Sequence, residues 1–163
     1  MSQIKYKTSL NLILIFNIFI LFAAYFIQYV LKHQPCNLCL IERIPYILSI
    51  IVILICLFTK KFERIFLIIL SLIFFSATLI AFYHFGIEQG FIRESLVCDL
   101  NNESNNLSKE ALLNQLKTMP VSCKNVTFKI FGLSLATFNI FITLILGVIT
   151  TKLFITYEKN RQK

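Results

Sequence analysis

Four cysteines, placed as the close pair Cys36 and Cys39 and the distant pair Cys98 and Cys123, are the residues of this chain whose types and spacing could do chemistry. A vicinal pair can close as a disulfide or stand open as a dithiol, and exchange passes readily between neighbouring thiol pairs. Two such pairs in one aqueous compartment could move electrons from thiol to thiol. Arg43 follows Cys39 by four positions, on the same face if a helix has begun there. A helix N-terminus and a nearby cation both lower a thiol's pKa, and the thiolate is the reactive form.

Other readings of these residues stand beside that one. A Cys-x-x-Cys also serves zinc sites and structural disulfides. Cys98 and Cys123, taken alone, fit a stapling disulfide that closes a loop and contributes about 3 kcal/mol. A zinc site built from all four thiolates lacks the short ligand spacing in its second pair, so no metal is expected. Cys56 stands apart, roughly 25 Å from Cys39 along a helix at the standard rise, and is expected to be a small buried hydrophobe.

The elements that must position these thiols follow from composition. The chain has 163 residues, 57% of them hydrophobic and only 15% charged. That is too apolar for a soluble domain and too short for more than one, so residues 1–163 form a single membrane domain. Lipid offers no partners to backbone amides, so apolar runs of about 20 residues must cross as helices. The runs predict an all-α integral membrane protein: a four-helix transmembrane bundle with helices at approximately 9–31, 40–59, 65–85 and 130–155. Its cysteine-bearing loops are approximately 32–39 and 86–129. The first run is too long for a signal peptide and no small-residue cleavage site precedes Lys32, so it is kept as helix 1.

The second span poses a choice. Its uncharged run, 44–59, gives about 24 Å at the standard rise, short of the roughly 30 Å hydrocarbon core. Starting the helix near Leu38–Leu40 repairs this and places Glu42 and Arg43 at the interface, with Pro45 inside the helix. The alternative is a later start with Pro45 at its first position. In the long loop, Ser108 can N-cap a short helix over about 109–117, stopped by Pro120. That helix could lie flat on the membrane or pack on its own loop.

The formal charge of +8 would suit nucleic acid, but its distribution points to a membrane instead. The N-terminus, the turn at 60–64 and the tail after 151 together carry nine basic residues against two acidic ones; the opposite side carries seven against six. Basic density beside helix ends marks the cytoplasmic face. Both termini are therefore expected in the cytoplasm and both cysteine loops outside, which in a bacterium means the periplasm, where disulfides persist. Glu42 and Arg43 then serve as interface anchors, or Arg43 donates to an oxygen of a lipid-soluble acceptor docked beside Cys39. His84, after Tyr83 at the end of helix 3, is either a solvated interfacial histidine or a second donor to that acceptor.

Pro35-Cys36-Asn37-Leu38-Cys39-Leu40-Ile41-Glu42-Arg43, Tyr83-His84 about 14 residues before Cys98, Cys123, and Phe131-Gly132-Leu133-Ser134-Leu135-Ala136 together resemble the DsbB family, the disulfide bond formation proteins of the bacterial inner membrane. The resemblance covers nearly the whole chain. It implies a thiol:quinone oxidoreductase that draws electrons from a DsbA-like periplasmic dithiol partner and delivers them to the membrane quinone pool and respiratory chain, with either ubiquinone or menaquinone as acceptor. In that scheme Cys98 forms the mixed disulfide with the partner and Cys123 exchanges with Cys36. Cys39 then faces the quinone, with Arg43 and His84 as its polar contacts. A vitamin K epoxide reductase-like enzyme is a rival, with its cysteine pairs arranged differently along the helices. A small membrane scaffold with two static disulfides is another, and it requires nothing of Arg43 that Lys would not supply.

Overall fold

The computed structural model describes residues 3–59, 62–93, 123, 129–130 and 132–161. Cys98, Lys60, Lys61 and the short helix expected over 109–117 lie outside the described residues. In chain order the elements are α1 (Gln3–Tyr29), α2 (Asn37–Ile41), α3 (Ile44–Phe58), α4 (Glu63–Glu88), β1 (Lys129–Ile130), β2 (Leu133–Ser134) and α5 (Leu135–Arg161). They make four spans long and apolar enough to cross a membrane: Tyr6–Tyr29, Asn37–Phe58, Glu63–Glu88 and Leu135–Asn160.

The surface is as greasy as the core, which is what lipid as solvent selects. Leu12, Phe19 and Phe22 of α1, Leu72, Leu79 and Phe82 of α4, and Phe141 and Ile145 of α5 all point outward. Burial alone therefore says little here, and van der Waals packing and interhelical hydrogen bonds carry specificity instead. Leu10, Ile13, Ile53, Leu67, Leu70, Phe74 and Leu146 fill the centre. Polar pairs link the helices around them. Asn17 Nδ2 donates to Ser49 Oγ at 2.8 Å between α1 and α3. Thr78 reaches Thr143 at 3.0 Å and Ser71 reaches Thr151 at 2.8 Å between α4 and α5.

One end of the bundle gathers the start of α1, the end of α3, the start of α4 and the end of α5. The Tyr6 and Tyr157 rings lie 5.7 Å apart, Tyr6 Oη meets Cys56 Sγ at 3.3 Å, and Arg64 pairs with Glu158 at 2.9 Å. Cys56 is thus a buried thiol at the end remote from Cys36, Cys39 and Cys123.

The second span is not the unbroken helix expected over 40–59. It breaks at Glu42–Arg43 into α2 and α3, with Pro45 in the first turn of α3. Proline has no N–H to return to the carbonyl of Ile41, and its ring crowds that carbonyl, so the helix restarts instead of continuing. The early start and the proline-led start are both present, as two pieces of one crossing. The last span begins at Leu135 and not at 130, because Lys129–Ile130 and Leu133–Ser134 pair as a two-stranded antiparallel hairpin. Gly132, at φ +82, supplies the left-handed backbone its tight turn needs. At the end of α4, Gly90 takes φ +77 and turns the chain back so that Ile92 lies on Gly86. A Cβ on Gly86 would stand 2.6 Å from the Ile92 side chain.

Candidate functional site

Cys36 is the residue from which the site is built. It N-caps α2 with extended backbone (φ −71, ψ 167), and its sulfur accepts from the Cys39 N–H at 3.4 Å. The helical turn that follows carries Cys39 back beside it, and the two sulfurs lie 2.9 Å apart as free thiols. Cys123 is disulfide-bonded, to a partner outside the described residues. It joins Cys36, Leu38 and Ile87 in one buried apolar cluster, with Cys39, Ile41 and Tyr83 packed against it. Cys36 is 6% exposed and Cys123 3%, so the two sulfur-bearing segments meet in a dry place.

Beneath the thiols runs a buried polar chain. His84, 2% exposed, presents Nε2 to Cys36 Sγ at 3.5 Å and Nδ1 to Glu42 Oε1 at 2.7 Å. The other carboxylate oxygen of Glu42 accepts from Asn139 Nδ2 at 2.8 Å, and Tyr46 donates its hydroxyl to Asn139 Oδ1. Glu88, one turn after His84 on α4, places Oε1 3.7 Å from Nε2. Four elements therefore meet here: α2 supplies the thiols, the α2–α3 break Glu42, α4 His84 and Glu88, and α5 Asn139. The Cys36 thiol is pulled below the ordinary thiol range, chiefly by the Cys39 thiol that donates to it, then by His84 beside it, with burial opposing both.

These groups form the polar edge of an otherwise apolar cavity of about 390 Å³. Its walls come from α1, including Phe16, Phe19, Ala23 and Ile27, and from Phe138 and Ile142 of α5. Cys36, Cys39, Cys123, Arg43, His84 and Glu88 all line it. Arg43 reaches α1, donating Nη1 to Gln28 Oε1 at 2.6 Å and lying 4.9 Å from the centre of the Tyr25 ring. A cavity of this size, apolar with a few convergent polar groups, is the usual form of a small-molecule site.

The donor atoms of Cys36, Cys39 and His84 lie within 4.8 Å of one another, close enough to raise a metal site. The sulfur spacing argues against one. Tetrahedral zinc at roughly 2.3 Å from each thiolate holds its sulfurs nearly 4 Å apart, whereas these two are at 2.9 Å, in position to bond to each other.

The structure brings Cys36, Cys39, Cys123, Arg43 and His84 to one cavity, and Cys98 lies outside the described residues. The ring against Cys36 is that of His84, while Arg43, beyond the helix break, reaches towards α1. Sequence reasoning treated Glu42 as an interface anchor and passed over Glu88, Tyr46 and Asn139. The available signal was a polar Asn inside an apolar span, since such a group needs a partner there.

The family model described as disulfide bond formation protein DsbB matches residues 6–153. An uncharacterized protein from Rickettsia prowazekii (strain Madrid E) is 29% identical over 161 residues, covering 97% of this chain and 92% of its own length. No solved structure matches the chain.

Proposed function

The chain belongs to the DsbB family of disulfide bond formation proteins, and from that premise we propose that it reoxidises a DsbA-like periplasmic dithiol protein and passes the electrons to a membrane quinone. Family membership and four membrane-spanning helices make it a multi-pass disulfide-forming membrane protein. The observation that carries the finer reading is the cavity itself: a dithiol, an arginine and a histidine on the edge of an apolar chamber between membrane helices.

The residues present fit a quinone. The ring of such a molecule needs an apolar slot, which α1 and α5 provide, and its oxygens need polar partners, which Arg43 and His84 provide. Arg43 is the first of these, since its guanidinium has donors beyond the one given to Gln28. When bound, a quinone supplies an acceptor for two electrons and two protons.

The chain's own cysteines do the rest. The partner's thiolate attacks the Cys98–Cys123 disulfide at Cys98, and the partner leaves oxidised as its second thiol displaces Cys98. The released Cys123 thiolate attacks Cys36 of the Cys36–Cys39 disulfide, and Cys98 closes back on Cys123. Cys36 and Cys39 are left as the dithiol, in the geometry seen here. Reclosing their bond releases two electrons and two protons, which a quinone would accept, and Arg43 would hold its oxygen and stabilise negative charge there. The apolar cluster shared by Cys36 and Cys123 supports the exchange step. The excess of basic residues in the segments assigned to the opposite side supports cysteine loops that face the periplasm of a bacterial inner membrane.

The test is anaerobic mixing of the purified protein with a reduced dithiol partner and a short-chain quinone, following quinone absorbance. Stoichiometric loss is expected, and absent in Cys39→Ser. A Cys39→Ser protein with full activity would end this reading.

A further inference from the structure

We infer that Glu42 is a positioning residue that holds His84 as the acceptor of the Cys36 thiol proton, so that the histidine carries this proton away as the Cys36–Cys39 bond closes. The inference rests on the thiol-to-quinone reading and assigns a route for one of the two protons that reading requires. The step balances. Cys36 gives its proton to His84 Nε2, and the thiolate joins Cys39 as the two electrons leave to the quinone. The proton then passes from His84 to the quinone oxygen, and the second comes from Cys39.

The geometry points one way because each atom of the chain has a fixed role. Tyr46 donates to Asn139 Oδ1, which fixes the Asn139 amide with Nδ2 towards Glu42. Glu42 Oε2 accepts that bond, and Oε1 is left to accept from His84 Nδ1–H at 2.7 Å. With the ring proton held on Nδ1, Nε2 is the free lone pair, and it faces Cys36 Sγ at 3.5 Å. A carboxylate behind the ring also stabilises the imidazolium that forms, as in other acid–base histidines. The lowered pKa of Cys36 agrees with this arrangement. Among the described residues, the titratable and charged groups around the pair are Cys39 and Glu42, Glu88 on α4, Tyr46 through Asn139, and Arg43 and His33 on the cavity wall.

Glu42→Gln is the informative change because it is close to isosteric and reverses the direction of the chain. Asn139 Nδ2 still donates to the oxygen of the substituted side chain, which leaves the new amide N–H facing His84 Nδ1. The ring proton must then move to Nε2, where it points at the sulfur and cannot accept from it. The readout uses quinone-free, fully reduced protein: the rate of Cys36 alkylation by iodoacetamide against pH, by peptide mass spectrometry, with ¹⁵N NMR of the His84 ring. The wild type is expected to carry its neutral-form proton on Nδ1. Glu42→Gln should move the alkylation midpoint up by a unit or more, about tenfold slower near pH 7, with the ring proton on Nε2. Glu42→Asp should recover part of the loss.

Overlapping alkylation profiles for wild type and Glu42→Gln would overturn the inference. If Glu42→Gln fails to fold, the wild-type NMR decides alone, because a proton on Nε2 with Nδ1 bare would overturn it and the reverse tautomer would uphold it. A wild type that cannot pass electrons to a quinone sinks the underlying reading instead, and that result comes from a separate measurement.

Discussion

Replacing Arg43 with Lys keeps the charge and changes everything else about that side chain, which makes it a sharp test of the proposed acceptor site. The guanidinium donates to Gln28 at 2.6 Å and lies over the Tyr25 ring at 4.9 Å, and it still has donors to spare on the cavity side. An ammonium on a flexible stem supplies a single point of charge and cannot hold Gln28, cover the ring and meet a ligand oxygen together. The lost stacking is worth roughly 0.5–1 kcal/mol, or about 2 where desolvated. Losing one positioned hydrogen bond adds about 1 kcal/mol. Together these predict a 10- to 100-fold rise in the KM for quinone at about 1.4 kcal/mol per decade. The assay is anaerobic steady-state quinone reduction with a saturating dithiol donor, with Cys36 alkylation as a control for the thiol site. A KM within twofold of wild type would refute the reasoning and return Arg43 to the role of a membrane anchor, as the scaffold reading requires.

Further expectations follow from the same geometry. Cys36→Ser and Cys39→Ser should each abolish electron transfer while the protein still inserts and purifies, whereas Cys56→Ala, at the other end of the bundle, should leave turnover unchanged. In the reduced protein the Cys36 thiolate persists below the ordinary thiol pKa. Its contribution to folded-state stability is therefore fully present above that ordinary value and lost as pH falls through the lowered one. Unfolding in detergent at a series of pH values, with and without Cys36→Ser, reads this difference, and parallel curves would contradict it. Asn17→Ala removes the buried bond to Ser49 and should cost roughly 0.5–2 kcal/mol in the same assay. Arg64→Ala breaks an ion pair whose arginine is half-exposed and should shift stability by less than about 1 kcal/mol; a loss of several kcal/mol would show that its surroundings are drier than they look.

The spans were legible because lipid imposes one rule on them, that uncharged runs of sufficient length fold as helices. Their ends were less so. The break in the second span turns on one missing amide at Pro45, and charge placement alone favoured a continuous helix. The hairpin before α5 hides inside an apolar run, where Ile130 and Leu133 read as helix and only Gly132 argues for a turn. The thiols of the site announced themselves by spacing. The carboxylate–histidine chain did not, because Glu42, His84 and Asn139 come from three separate spans and no periodicity links positions so far apart. A lone polar residue in an apolar helix says that a partner exists without saying which one.

The burial of Cys36 and Cys123 in a single apolar cluster has a kinetic meaning beyond proximity. Small water-borne thiols diffuse freely outside the membrane, and any that reached the inner pair would drain its oxidising power without yielding a useful product. With so little of either sulfur open to solvent, a soluble reductant must first enter a hydrocarbon-lined niche and shed its hydration there. In the proposed relay, selectivity would thus come from insulation, and a substitution that lets water into that niche, such as Ile87→Ser, is expected to raise futile consumption of quinone by free thiols before it slows the productive reaction.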